Sequence, residues 1–311
     1  MTFNNGDNIN SIIFYCSSKQ KAVSRNGSDY ISLVLQDKDG TIDGKIWEPS
    51  SPSIMDFDKG DFIKINGTVN SFKDNFQISI TSVTVMDKNS IDISEYCPVT
   101  PRDIDEMVDY LKCFIESITN EYCKRLLDCF FNNDKFMDRF KTASAAKMVH
   151  HAYIGGLLEH TISVVNICNF YSSIYPEVNR DLLITAAICH DIGKVKEISA
   201  FPENDYTDIG NLLGHIYIGT EMIDVQARKI DNFPKDLLNE IKHCILAHHG
   251  QLEYGSPQTP KLIEAELLHL ADLTDSRMRR YSDLINERED YSWTDKADFF
   301  LGSKYRRTKS N

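Results

Sequence analysis

The sequence predicts a multidomain protein of α and β type, an N-terminal β-barrel followed by an all-α domain. Three observations predict it. Up to about Asp87, short apolar stretches alternate with polar residues, turn at Gly-bearing breaks and show no helical period. From Ile104 onward, apolar residues recur at i, i+3, i+4 and i+7. Between the two, Asp92, Ser94, Pro98, Thr100 and Pro101 break any period. The expected division is therefore residues 1–88 for the barrel, 89–102 for a linker, 103–145 for connecting helices, 146–290 for the main helical domain and 291–311 for a basic, solvated tail. A chain of 311 residues can bury two such cores.

The strands come first. Residues 30–35 are apolar and alternating, Asp37-Lys38-Asp39-Gly40 is a turn, and residues 41–47 form the partner strand. A second turn spans residues 57–61, and residues 62–69 and 76–83 alternate again. Small barrels of this kind bind single strands by stacking bases on aromatics beside basic side chains. The candidates for that contact are Trp47, Phe72, Lys73 and Phe76, with Lys45 and Lys64 nearby in sequence. Alternate aromatics in a small barrel usually fill its core. The stretch 72–76 stands out because it reads as a loop, where an aromatic has no core to fill. Residues 1–90 carry a net charge of −2 out of −12, so the barrel is the less acidic part.

The helices follow. Thr100 and Pro101 read as N-cap and first helical position. Ile104, Met107, Val108, Leu111, Phe114, Ile115 and Ile118 form one stripe, and Tyr122, Leu126, Leu127 and Phe130 a second. The glycine pair at 155–156 opens a long helix through Tyr175 that carries His160 in its first turns. Residues 182–188 read as a buried helix, and it closes on His190-Asp191-Ile192-Gly193-Lys194. His215, the doublet His248-His249 and Asp272 each lie near the end or on one face of a later helix.

His160, His190, Asp191, His215, His248, His249 and Asp272 are seven nitrogen and oxygen ligands with no thiolate among them. That is the ligand set of hydrolytic Mn, Fe, Co or Zn sites rather than of structural zinc. Seven ligands are too many for one ion. Two ions would share them, with Asp191 as the natural bridge, in the arrangement that serves in-line displacement at phosphorus. Lys194, close behind, is placed to neutralise a phosphate oxygen. Asp191 and Lys194 are the candidate catalytic residues.

The pattern H…HD…H…HH…D over residues 145–285 resembles the HD superfamily of metal-dependent phosphohydrolases. The strand order of the barrel resembles an OB-fold of the tRNA-anticodon-binding kind. Taken with the runs at 150–161, 190–194, 213–216 and 248–257, the chain looks like the YhaM family of bacterial 3′–5′ exoribonucleases, nearly end to end. The resemblance implies two divalent ions, Mn first with Co, Fe or Zn as alternatives. It implies hydrolysis of single-stranded RNA, with single-stranded DNA as a second substrate, to nucleoside 5′-monophosphates, and a role in RNA turnover. It further implies that His160, His190, Asp191 and Asp272 hold one ion and Asp191, His215, His248 and His249 the other. The family more often has Ala-Lys after its second Asp, where this chain has Ser276-Arg277, which leaves the roles of Asp275 and Arg277 open. His150, His151, His243 and His269 read as packing or outer-shell residues, and Glu159 as an outer-shell partner.

Composition bounds the rest. A net charge of −12 and a pI near 5.2 exclude a broad, non-specific nucleic-acid coat. No apolar run reaches the length of a membrane span, so no membrane partner is expected. Eight scattered cysteines without a C-x-x-C pair suit a reducing, cytoplasmic setting. A homo-oligomer is expected. Two other functions fit the same ligands: a phosphohydrolase of a small nucleotide with a regulatory barrel, and a nucleic-acid-binding protein whose metal site is idle.

Overall fold

The computed structural model describes residues 3–24, 26–72, 75–147, 151–286, 290–294, 297–298 and 301–309. Two compact units make up the chain: Met1–Val99 with Ala200–Asn204, and Thr100–Ser199 with Asp205–Asn311.

The first unit is a closed barrel of β1 (Asn8–Val23), β2 (Asp29–Asp37), β3 (Gly40–Ile46), β4 (Phe62–Phe72) and β5 (Asn75–Val85), in the order β1-β2-β3-β5-β4. β3 and β5 pair in parallel, and the other strand pairs of the barrel are antiparallel. β1 pairs with β4 through its first half and with β2 through its second, and a register shift between Cys16 and Ser18 bends it from one partner to the other. One strand thus closes the sheet and removes its edges. Ile31 opposite Ile46 and Leu35 opposite Ile42 all face inward. With Ile9, Phe14, Leu33, Ile63, Ile65 and Ile78 they form the core, each burying a side chain worth about 1.5–3 kcal/mol.

Phe72 pairs with Asn75, and Ser71 with Phe76, so Phe76 stands on a strand rather than in the loop expected at 72–76. The alternation of β4 and β5 simply continues to the hairpin end. Lys73, the Phe72 side chain and His150 lie outside the described residues. Residues 89–99, expected as linker, fold onto the barrel. Gln36 donates to the Tyr96 carbonyl at 3.2 Å, the Tyr96 ring meets Phe62 at 5.0 Å, and Cys97 is fully buried.

The second unit is helical: α1 (Ile104–Glu116), α2 (Glu121–Phe131), α3 (Asp134–Thr142), α4 (Gly156–Ile174), α5 (Arg180–Cys189), α6 (Lys194–Glu197), α7 (Asp208–Ala227), α8 (Lys235–Ala247) and α9 (Ile263–Asn286). α1 begins later than the sequence suggests. Its cap is Asp103, whose carboxylate accepts from Glu106 N, while the Thr100 hydroxyl donates instead to Glu159 at 2.6 Å. A carboxylate at the N-cap also meets the positive end of the helix dipole, which a threonine does not. α5 is buried at every position from Leu182 to Cys189 and packs against α4, α8 and α9. A helix apolar all round has to sit at the centre, and it sets its last turn in the middle of the unit.

Where residues 291–311 are described, most are exposed, as in a solvated tail, and a few contacts anchor them. Arg280 pairs with Asp298 at 2.6 Å, Tyr305 meets Tyr281 edge-on at 4.6 Å, and Leu301 is buried. The basic composition of the segment gives no sign of these contacts. No helix among the described residues is long and apolar enough to cross a membrane.

Candidate metal centre

The centre grows out of helix ends. α5 stops at Cys189 and α8 at Ala247, and the next residue in each case is a histidine, His190 and His248. Each donates its Nδ1–H to the carbonyl three residues back, Ala187 and Ile245, at 2.7 Å. The ring thereby satisfies a carbonyl that the helix end leaves open, and its Nε2 points away from the helix.

The other three histidines are tied in the same sense. His160 on α4 gives Nδ1–H to Asp275 at 2.7 Å, His215 to Glu197 at 3.1 Å, and His249 to the Tyr254 carbonyl at 3.0 Å. With Nδ1 engaged as donor, each ring, when neutral, keeps its lone pair on Nε2. Four of these Nε2 atoms lie close to Asp191. Its Oδ2 lies 3.5 Å from His160 Nε2 and 3.3 Å from His190 Nε2, and its Oδ1 lies 3.4 Å from His215 Nε2 and 3.8 Å from His248 Nε2. One carboxylate thus faces two sets of donors. Asp272 Oδ1 joins the first set at 3.2 Å from His160 Nε2, and the His249 ring joins the second at 4.4 Å from His248.

Two glycines make the approach possible. A Cβ on Gly193 would lie 2.0 Å from the His215 carbonyl, so only glycine lets the turn after Asp191 reach α7. Gly214, with φ of +70°, interrupts α7 and makes His215 the start of its second segment. The freed His215 N–H donates to Glu197 at 2.9 Å, so one carboxylate fixes both the backbone and the ring.

The electrostatics are those of tightly held opposite charges. Burial alone would raise the Asp191 carboxyl, but Lys194, His190 and His215 together hold it well below the usual range. Lys194 Nζ sits 2.7 Å from Asp191 Oδ2, and this carboxylate outweighs burial to push the amine up. Burial would lower His160, yet the Asp272 and Asp275 carboxylates raise it to about 10. Burial depresses His248 and His249, which favours the neutral, ligating ring.

Do these residues fit a metal? Asp191 Oδ1, His215 Nε2 and His248 Nε2 are buried and lack a hydrogen-bond partner among the described residues. Orphaned buried polar atoms are costly, and three converging on one point share one remedy, a cation that accepts a lone pair from each. His215, His248 and His249 offer ligand atoms within 4.8 Å of one another, as do His160, His190 and Asp272. Nitrogen and carboxylate oxygen without sulfur suit a divalent hydrolytic ion.

The sequence reading did not assign Asp275, which accepts from both His160 and His151, or find Glu197. Asp275 stands three residues after Asp272, on the same helical face, and that spacing was a usable signal. Beyond it, His151 Nδ1 lies 2.8 Å from the Tyr153 hydroxyl, which donates to Glu159 at 2.9 Å. His269 donates to the His248 carbonyl and His243 accepts from Lys261 N, both supporting contacts.

In the barrel unit, Trp47 is half-exposed with its ring 5.0 Å from Tyr30, and Lys45 Nζ lies 5.6 Å from the Tyr30 ring centre. Tyr30 was not picked out from the sequence. Phe76 is exposed and lines a shallow hollow with Phe3, Ile42 and Asn75.

The fold and the site define an HD-domain protein with a divalent metal requirement, joined to an OB-fold nucleic-acid-binding domain. The HD domain model matches residues 157–277 and the OB-fold nucleic acid binding domain model, of the tRNA anti-codon kind, residues 16–86. The chain belongs to the YhaM family. It is 33% identical to the 3′-5′ exoribonuclease YhaM of Oceanobacillus iheyensis, across 83% of this chain and 81% of that one. With the 3′-5′ exoribonuclease YhaM of Bacillus subtilis (strain 168) it shares 32% identity, across 84% of this chain and 82% of that one.

Proposed function

We propose that this chain is a metal-dependent 3′–5′ exoribonuclease. It hydrolyses single-stranded RNA, and secondarily single-stranded DNA, from the 3′ end to nucleoside 5′-monophosphates, and it serves RNA turnover. The observation that carries this reading is the Asp191 carboxylate, whose two oxygens face two separate sets of imidazole Nε2 atoms. Family membership supports the polymer as substrate and the 3′ end as the point of attack.

In this reading His160, His190, Asp191 and Asp272 would hold one ion, and Asp191, His215, His248 and His249 the other. Manganese is the ion proposed first. When bound, such a pair supplies Lewis acidity at the phosphodiester and lowers the pKa of water. Asp191 keeps the two ligand sets at a fixed separation, and Lys194 balances its charge. Reaction breaks the P–O bond to the 3′ oxygen of the penultimate nucleotide and forms one to the oxygen of water, which leaves the phosphate on the released nucleotide. In the barrel, Trp47, Phe72, Lys73 and Phe76, with Tyr30 added, would hold the strand by stacking and charge.

Homo-oligomers and a cytoplasmic workplace belong to the same proposal. Exposed Ile209, Leu212, Leu213 and Tyr217 along α7 support the first. Eight free thiols support the second. The deciding experiment is a time course on 5′-labelled single-stranded RNA with Mn²⁺, with Asp191→Ala alongside. A ladder shortening from the 3′ end, absent in the variant, is the expected result. Intact RNA beside hydrolysed small nucleotides would overturn it.

A further inference from the structure

We infer that Arg277 is the phosphate-binding cation of the metal-site pocket, the side chain that grips the phosphate of the 3′-terminal nucleotide. The inference deepens the exoribonuclease reading and rests on it for the identity of the nucleotide.

The pocket has a volume of about 590 Å³, the size of a small-ligand site. Asp191, His215, His249 and Asp272 line it together with Lys194, Tyr206, Tyr254 and Arg277. One face of α9 contributes His269, Asp272, Leu273, Ser276 and Arg277, at i, i+3, i+4, i+7 and i+8. Arg277 thus continues the stripe that carries Asp272, about 7.5 Å farther along the helix axis at 1.5 Å per residue. A long, extended side chain covers much of such a distance.

The charges of the pocket show which cation is uncommitted. Asp191 is engaged by Lys194 at 2.7 Å, Glu197 by His215 at 3.1 Å, and Asp272 by His160 at 3.2 Å. Lys194 is committed in the same pairing. Arg277 makes no ion pair and no hydrogen bond among the described residues. Arg277 draws the Tyr305 phenol's pKa down, but burial and the Tyr281 hydroxyl push it up, so the phenol offers Arg277 no negative charge. On α9 its neighbours are otherwise occupied: Arg279 binds Glu159 and Asp283, and Arg280 binds Asp298. A guanidinium at a pocket wall with five donors and no acceptor is built for an external anion. Its planar fork matches two phosphate oxygens, a geometry that an ammonium cannot offer.

Two aromatics stand at the same pocket. Tyr206 is about half exposed and Tyr254 more so, and the Tyr254 carbonyl is the one that anchors His249. A planar base has rings to lie against while Arg277 holds the phosphate.

The test is equilibrium binding, so it does not depend on turnover. Mn²⁺ is titrated calorimetrically into the full-length wild type, Arg277→Ala and Arg277→Lys, and then AMP, and separately adenosine, into each loaded protein. The expected result is unchanged Mn²⁺ stoichiometry and AMP affinity reduced about tenfold to hundredfold in Arg277→Ala, the scale of a lost charge-assisted contact. Arg277→Lys should lie between, and adenosine should bind all three alike. Wild-type AMP affinity in Arg277→Ala, equal losses for AMP and adenosine, or no AMP binding by the wild type would each overturn the assignment. If the alanine variant does not fold, the lysine variant alone decides, since it keeps the charge and loses the fork. An RNA ladder that never forms would count against the exoribonuclease reading and would leave the AMP result standing.

Discussion

The two units keep their polar chemistry in opposite places. Among the described residues, every buried polar or charged side chain belongs to the helical unit, and the barrel interior is wholly apolar. Outside that interior the barrel carries Tyr30, Lys45, Trp47 and Phe76. The helical unit carries His160, His190, Asp191 and His248 at 2% exposure or less. An exterior site can be edited without touching the fold that presents it. An interior site is part of the core, so each ligand also belongs to the packing and polar network of its neighbours.

The strongest way to break that comparison is at its centre. Asp191→Ala should lower kcat on RNA by about 10³-fold or more, since several kcal/mol of charge stabilisation goes with it and each 1.36 kcal/mol is tenfold. The same variant should bind fewer ions, and inductively coupled plasma analysis of the dialysed protein checks that. In the barrel, Ile65→Ala should destabilise by about 2–5 kcal/mol because it hollows a dry core. Its denaturant curve should shift while Mn²⁺ affinity stays at the wild-type value. If metal affinity falls with it, the units are not separate in energy.

One step outward, Asp275→Asn should weaken ion binding about 10- to 100-fold, as loss of an outer partner does. Titration calorimetry reads that directly, and an unchanged affinity would mean that His160 is oriented by something else. The smallest effect belongs to the exterior. Trp47→Ala removes one stacking partner, worth about 1–3 kcal/mol by alanine substitution. KM for a long oligonucleotide should rise about tenfold, with kcat and melting temperature unchanged. A matching loss of kcat would contradict an exterior binding role.

The comparison also explains what the sequence disclosed. Strand alternation and helical stripes gave both units, because periodicity depends on local geometry. The candidate ligands stood out because a histidine or aspartate ending an apolar helix is out of place there. Three kinds of feature were not readable. The cap at Asp103 in place of Thr100 depended on a distant acceptor, Glu159. The pairing of Asp275 with His151 and His160 joins residues 124 and 115 positions apart. The anchoring of the C-terminal residues rests on single contacts, Arg280 to Asp298 and Tyr281 to Tyr305, that leave no periodic trace. Long-range side-chain partners are what a one-dimensional pattern omits.

The anchored Nδ1 atoms have a consequence for how ions come and go. None of the five rings can turn about χ2 without losing a hydrogen bond that the fold already supplies. The entropy of arranging the donors is therefore spent during folding, before any ion arrives. Exchange of one divalent ion for another becomes a matter of diffusion and dehydration, with no refolding step. Stripping the protein with a chelator should leave its circular dichroism intact, and activity should return on remixing without a lag. In a cell whose pool of divalent ions shifts, a socket of this kind takes up whichever suitable ion is abundant.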